Sequence, residues 1–191
     1  MNILFLTDNF PPEVNAPSSR TFEHAREWVR CGHTVTVVTC APNFPEGRVF
    51  KGYRNKLYAT ETMSGIKVVR VWSYISANQG FLKRTLDYAS FMATATLASP
   101  WVGRADIMVA TSPQFFTAVA GYMVSRVRRR PFVFELRDLW PESIKVVGAM
   151  KDGRMLRNLE RLELFLYRRA DRVISVTNAF KVNLEGVRDG D

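Results

Sequence analysis

Hydrophobic residues recur along this chain in two rhythms. Six short runs, Ile3–Thr7, Thr34–Thr39, Lys67–Trp72, Asp106–Ala110, Phe132–Glu135 and Arg172–Val176, are mostly rich in Val, Ile and Phe and lack strict alternation. Strands buried on both faces of a parallel sheet read this way. Between them lie stretches with helical spacing. Residues 18–31 place Phe22, Ala25, Trp28 and Val29 on one face, with Ser18 or Ser19 as the cap and Gly32 just beyond the end. Residues 81–98 hold Leu82, Leu86, Ala89, Met92, Ala93 and Leu97 at the same period. Residues 114–127 and 154–169 predict two more helices. The latter interleaves Leu156, Leu159, Leu162 and Leu166 with Arg157, Glu160, Arg161 and Glu163. A final short helix is predicted from Asn178. Alternating strands and helices predict an α/β domain, a Rossmann-like, doubly wound and mainly parallel sheet over residues 1–191. Residues 41–65 break the rhythm with Pro42, Pro45, Gly47, Gly52 and Gly65, and read as a long functional or mobile loop.

The length of 191 residues suits one domain, and an apolar fraction of 47% supports a packed core over disorder. The formal charge of +9 favours anionic partners. Only Arg126, Arg128, Arg129 and Arg130 cluster tightly, and they fit either a solvated helix end or contact with an anionic membrane. The scattered basic residues, with no zinc-finger spacing or RNP-like strand, argue against nucleic acid. Cys31 and Cys40 lack a Cys-x-x-Cys spacing and sit in or beside apolar segments, so both are expected to be reduced core thiols in a cytoplasmic protein. Met1–Thr7 has no basic leader and reads as a strand, not a signal peptide. The weakly charged stretch 85–103 contains Asp87 and Pro100 and is too broken to span a membrane. No two glycines stand at Gly-x-Gly spacing. Gly47 and Gly52 match the glycines of a P-loop, but Tyr53 stands where its lysine belongs. His24 and His33 have no metal spacing. No metal and no cofactor are expected.

Ligands of open α/β sheets bind beyond the carboxyl ends of the strands, where the strand order reverses. The loops after the first, fourth and fifth predicted strands therefore carry the candidate chemistry. The first runs Thr7-Asp8-Asn9-Phe10-Pro11-Pro12-Glu13-Val14-Asn15-Ala16-Pro17-Ser18. Its Asn15-Ala16-Pro17 segment leads into a helix N-terminus, which fits an anion reader or a rigid loop with a capping serine. The second, Thr111-Ser112-Pro113, fits simple helix capping or ligand contact. The third, Arg137-Asp138-Leu139-Trp140-Pro141-Glu142, crowds charge at a strand end. It fits a catalytic group with Asp138 as general base, or an Arg137–Asp138 or Arg137–Glu142 ion pair fixing the loop.

Taken in order, these segments resemble glycosyltransferase family 4, of GT-B fold, across essentially the whole chain. The resemblance is carried by Asn2–Glu13, Gly32–Thr39, Gly65–Val71, Ala110–Pro113, Arg137–Ser143 and Ala170–Thr177. The Arg-Asp-Leu-Trp-Pro-Glu-Ser segment and the Asn-Ala-Pro-Ser loop look like bacterial O-antigen and capsule enzymes, including N-acetyl-L-fucosamine transferases. The resemblance implies metal-independent, retaining transfer from a nucleotide-diphosphate sugar to a lipid-linked saccharide acceptor. It implies that this chain is the N-terminal, acceptor-side half, that a C-terminal domain with a Glu-x7-Glu motif holds the donor, and that this half is inactive alone. By the same resemblance Asp8, Asn9, Glu13, Thr111, Ser112 and Glu142 line the acceptor cleft. Asn15, Ala16 and Pro17 stand at the donor diphosphate loop, where relatives often carry Gly-Gly. Asp138 is the candidate for activating the acceptor hydroxyl. Arg137 replaces a histidine common in the family and, being permanently protonated, would stabilise negative charge instead. The expected place of action is the cytoplasm, with peripheral attachment to the inner face of the plasma membrane. A membrane-binding module without catalysis of its own is the alternative.

Overall fold

A computed structural model of the chain describes residues 1–76, 81–112, 114–138, 153–178, 180 and 182. Seven strands form one sheet: β1 Asn2–Leu6, β2 Thr34–Cys40, β3 Tyr58–Met63, β4 Ile66–Val71, β5 Ile107–Thr111, β6 Phe132–Leu136 and β7 Arg172–Ser175. The helices are α1 Ala16–Arg30, α2 Phe81–Ala98, α3 Phe115–Arg128 and α4 Arg154–Arg169. The helix predicted from Asn178 falls largely outside the described residues.

The strand order is β3-β4-β2-β1-β5-β6-β7, with every neighbouring pair parallel except β3 and β4. The chain winds outward from β1 through β2 and β4, then returns to β5 and winds the other way. The β1/β5 boundary is thus the switch point of a doubly wound sheet, as the alternation predicted. Both faces of the sheet are covered, which explains strands without clean alternation. Ile3, Phe5, Val35, Val37, Val68 and Val109 pack under α1 with Phe22 and Trp28. Leu4, Leu6, Val69, Met108, Phe132 and Phe134 pack under α2, α3 and α4. Gly121 lets α3 approach closely, because a Cβ there would meet the Ala110 Cβ at 2.4 Å and Phe132 Cε2 at 2.9 Å.

Several expectations are corrected. The 41–65 segment holds a strand. β3 and β4 form an antiparallel hairpin through Ser64 and Gly65, both at positive φ (50° and 80°). A two-residue turn with both positions left-handed matches the twist of the strands it joins. Helix α1 starts at Ala16, capped by Asn15 and not by a serine: Ser18 N donates to Asn15 Oδ1 at 2.8 Å. Cys31 is exposed, since it follows the last turn of α1, whereas Cys40 is buried. The period of α2 found the helix but not its inner face. Phe91, Ala95 and Ala98 are buried, while Leu86, Ala93 and Leu97 point outward. Arg128 is not a solvated helix end, for its guanidinium donates to the carbonyls of Ser99 and Gly103.

A cleft at the switch point

The loop leaving β1 is held by a buried carboxylate. Glu13 Oε1 accepts from Asn43 N (2.8 Å) and Phe44 N (2.9 Å), and Oε2 accepts from Phe10 N (3.3 Å). This acid therefore stitches the first loop to the one after β2. Burial pushes its carboxyl above the ordinary range, and the three N–H donors act against that shift. Buried Arg70 completes the brace: it donates to Glu61 and to the carbonyls of Cys40 and Pro11, with its guanidinium 4.9 Å from the Tyr53 ring centroid.

Four loops, each leaving the carboxyl end of a parallel strand, then converge with the first turns of α2 on a cleft of about 170 Å³. β1 supplies Asp8 and Asn9 with Asn15 and Pro17 beyond, β2 supplies Asn43 and Phe44, β4 supplies Ser76, and β5 supplies Gln114. Helix α2 adds Arg84, Asp87 and Tyr88. Polar side chains run along the floor as a chain. Asn15 Nδ2 donates to Asn9 Oδ1 (2.9 Å), Asn9 Nδ2 to Asp8 Oδ2 (3.3 Å), and Gln114 Nε2 to the same Asp8 oxygen. Burial holds the Asp8 carboxyl well above its ordinary value, and the neighbouring charges of Asp87 and Glu13 raise it further. Asp87 is pushed up to about 6, chiefly by burial, with Arg84 opposing and Glu13 adding to the rise. A carboxyl that titrates near 6 is suited to exchanging a proton with a hydroxyl at neutral pH.

A second group of charges lies at the ends of β5 and β6. Glu135 is buried and paired with Arg20 of α1 at 3.0 Å, with His24 Nδ1 at 3.4 Å. Thr111 and Ser112 are buried, and α3 is capped by neither. Thr111 Oγ1 donates to Ser112 O, while Ser112 Oγ accepts from Arg137 N (2.7 Å) and Asp138 N (3.3 Å) and so fixes the turn after β6. Asp138 is exposed. The Arg137 side chain has no ion-pair partner among the described residues, so of the two alternative pairs Arg137–Asp138 is not formed and Arg137–Glu142 falls outside the described residues, and the Arg137 Nη1 is buried without a hydrogen bond. Burial and the nearby Arg20 charge depress the Arg137 guanidinium pKa.

Of the site residues read from sequence, Asp8, Asn9, Asn15 and Pro17 meet in the cleft, and Glu13 lies beneath as its brace. Ala16 is exposed at the start of α1. The N-terminus of that helix offers little to an anion, because Pro17 has no N–H and Asn15 occupies the N–H of Ser18. Thr111, Ser112, Arg137 and Asp138 form the second group. Glu142 lies outside the described residues. Asn43, Arg84, Asp87, Tyr88 and Gln114 were missed. A signal existed for the α2 group: a helix that follows a parallel strand begins at the sheet's carboxyl end, so polar residues in its first two turns sit near the ligand cleft. Among the described residues no cluster of three His, Cys, Asp or Glu side chains is placed to hold a metal ion.

A doubly wound sheet with a polar cleft at its switch point defines a Rossmann-like ligand-binding domain. The chain belongs to the glycosyl transferase 4-like domain family, whose pattern matches residues 15–188. It is 25% identical over 157 residues to the putative colanic acid biosynthesis glycosyl transferase WcaI of Escherichia coli (strain K12). That alignment covers 81% of this chain and 38% of the relative. The fold superposes on sucrose-phosphate synthase from Thermosynechococcus elongatus with a TM-score of 0.69 at 10% identity, over 96% of this chain and 44% of the synthase. The matches thus cover less than half the length of either protein. The expected family and the Rossmann-like fold both hold.

Proposed function

We propose that this domain is the acceptor-binding half of a retaining, metal-independent glycosyltransferase. Its donor is a nucleotide-diphosphate sugar held mainly by a second domain, and its acceptor is a lipid-linked saccharide of bacterial surface polysaccharide synthesis. The relative named for colanic acid biosynthesis supports the polysaccharide context. The resemblance of the Arg137–Ser143 segment supports the branch of bacterial O-antigen and capsule enzymes that includes N-acetyl-L-fucosamine transferases. The setting proposed is the cytoplasm, at the inner face of the plasma membrane. No helix among the described residues is long and apolar enough to cross a membrane.

The cleft is the observation that carries this reading. A sugar presents a rim of hydroxyls and two weakly polar faces. Asp8, Asn9, Asn15, Asn43 and Gln114 offer planar donors and acceptors suited to neighbouring hydroxyls, and half-exposed Phe44 offers an apolar surface beside them. Asp87 is the group proposed to take the proton of the acceptor hydroxyl as its oxygen bonds to the sugar, with Asp138 as the alternative. Arg137 and Arg20 flank the second group and are proposed to meet the negative charge of the leaving diphosphate. With those cations in place, the charge needs no metal.

Titration of the chain with short neutral saccharides, followed by amide NMR, tests the acceptor site. Shifts confined to Asn9, Asn43, Asp87 and Gln114 are expected. Calorimetry with UDP-sugars should show weak binding at most. Donor affinity comparable to a complete transferase, with no response to saccharides, would reverse the proposed division of labour.

A further inference from the structure

At the other end of α2 the molecule presents a surface of opposite chemistry. Leu86, Ala93 and Leu97 form an outward stripe along the helix, and the stripe ends on Trp101 in the following turn. Leu97 and Trp101 are each 71% exposed, and Val127 near the end of α3 is 64% exposed. Beside them a cavity of about 380 Å³ is lined by Arg104, Arg128 and Arg130 together with Ser99, Pro100 and Val127. Arg128 is fixed there by the carbonyls of Ser99 and Gly103. Arg104 and Arg130 have no ion-pair partner among the described residues. Asp106, the acid in the cavity lining, is engaged by the backbone and side-chain N–H groups of Asn2. Ser99 is 1% exposed, and its buried hydroxyl has no hydrogen-bond partner. That hydroxyl is out of reach of an incoming ligand, whereas the exposed guanidinium groups of Arg104 and Arg130 can meet an oxyanion. The Asn2 hydrogen bonds lower the Asp106 carboxyl pKa, and Arg130 is close enough to lower it further.

We propose that this face, made of the outer stripe of α2, the 99–104 turn and the end of α3, docks on an anionic lipid bilayer. Leu97, Trp101 and Val127 enter the headgroup boundary, while Arg104, Arg128 and Arg130 take a lipid phosphate. Charge favours this occupant. Residues 83–130 carry seven Lys/Arg and two Asp/Glu; Arg84 and Asp87 both face the cleft and Asp106 is held by Asn2, which leaves six cations for this face and its surroundings. A tryptophan beside aliphatic side chains and cations suits the interface between lipid tails and headgroups. The geometry also joins this surface to the cleft. Helix α2 has 18 residues, a length of ~27 Å, and its opening turns carry Arg84, Asp87 and Tyr88. One helix thus connects the docking face to the cleft, and the relevance of that link to a lipid-linked acceptor rests on the proposed function.

Co-sedimentation of the chain with lipid vesicles tests the docking. Vesicles of phosphatidylcholine containing about 30 mol% phosphatidylglycerol should bind the chain, and pure phosphatidylcholine should bind it about tenfold more weakly or not at all. Leu97→Ser with Trp101→Ser, and separately Arg104→Gln with Arg130→Gln, should each weaken binding by about tenfold. Arg26→Gln with Arg30→Gln on α1, across the sheet, removes the same charge and should leave binding within about twofold. Equal loss in the α1 variant would show attraction to net charge alone and overturn the proposal. So would equal binding to neutral vesicles, or self-association that shields Trp101 in place of vesicle binding. The assay contains no sugar, so its failure leaves the acceptor site standing.

Discussion

The two ends of one sheet handle charge in opposite ways. At the carboxyl end, Asp8, Glu13 and Glu135 are drawn in among loops and met by backbone N–H groups, amides or arginines. At the amino end, Lys67 reaches the Val102 carbonyl and Arg128 those of Ser99 and Gly103, while Arg104 and Arg130 stay exposed. Strand direction accounts for part of this. The long βα loops gather at the carboxyl end, where they can fold over polar side chains and satisfy them, whereas short αβ connections leave charges on the surface. Buried charge survives only with its partners in place, so the carboxyl end is where substitutions should cost most.

Glu13→Ala should have the largest effect. It leaves the N–H groups of Phe10, Asn43 and Phe44 without their acceptor, and a loss of ~3 kcal/mol is predicted. Urea unfolding measures it, and a loss near zero would mean that water replaces the carboxylate freely. Ser112→Ala comes next at ~1–2 kcal/mol, because Oγ accepts from both Arg137 N and Asp138 N. Faster hydrogen exchange at those two amides, with little change elsewhere, is the expected signature. Uniform acceleration across the sheet would contradict a local role.

Asp87→Asn should stabilise the chain by ~1 kcal/mol at pH 8, allowing for solvent screening of a half-exposed group. The folded chain holds this proton more tightly than the unfolded chain. The wild type therefore loses stability as pH rises from 3.8 towards about 6, and the variant should lose less over that window. Parallel melting curves for the two chains between pH 4 and pH 8 would refute the raised carboxyl. The smallest change is chemical and reads the two ends directly. Cys31, exposed past the last turn of α1, should react with a thiol reagent within minutes, whereas buried Cys40, beside Asp8, should react only on unfolding. Two thiols titrating at equal rates in the native chain would break the contrast.

Periodicity located six strands and four helices because both faces of the sheet are buried and the helices are amphipathic or wholly apolar. It missed β3, whose pattern of Tyr58, Thr60 and Thr62 outward against Ala59 and Glu61 is that of a half-covered edge strand. The first loop was legible as a site because Asp8, Asn9 and Asn15 cluster in sequence where the fold class places ligands. Asn43, Asp87 and Gln114 stand tens of residues away, and only their positions after strands, at the start of α2 for Asp87 and beside the Thr111–Pro113 loop for Gln114, mark them. Helix α2 shows the same limit in reverse, since leucines at helical spacing could face either way until Phe91 and Ala95 claimed the core.

The order of apolar runs and turns was enough by itself to set the fold class, and the strand-tip motifs carried the resemblance to the family. These depend on patterns local in the chain and on the handedness of βα units. Tertiary structure alone decided which polar groups share the cleft, that Glu13 braces the loops beneath it, and that Leu97 and Trp101 face outward beside three arginines. Each of these rests on desolvation and contact between segments far apart in sequence, and no local pattern encodes such meetings.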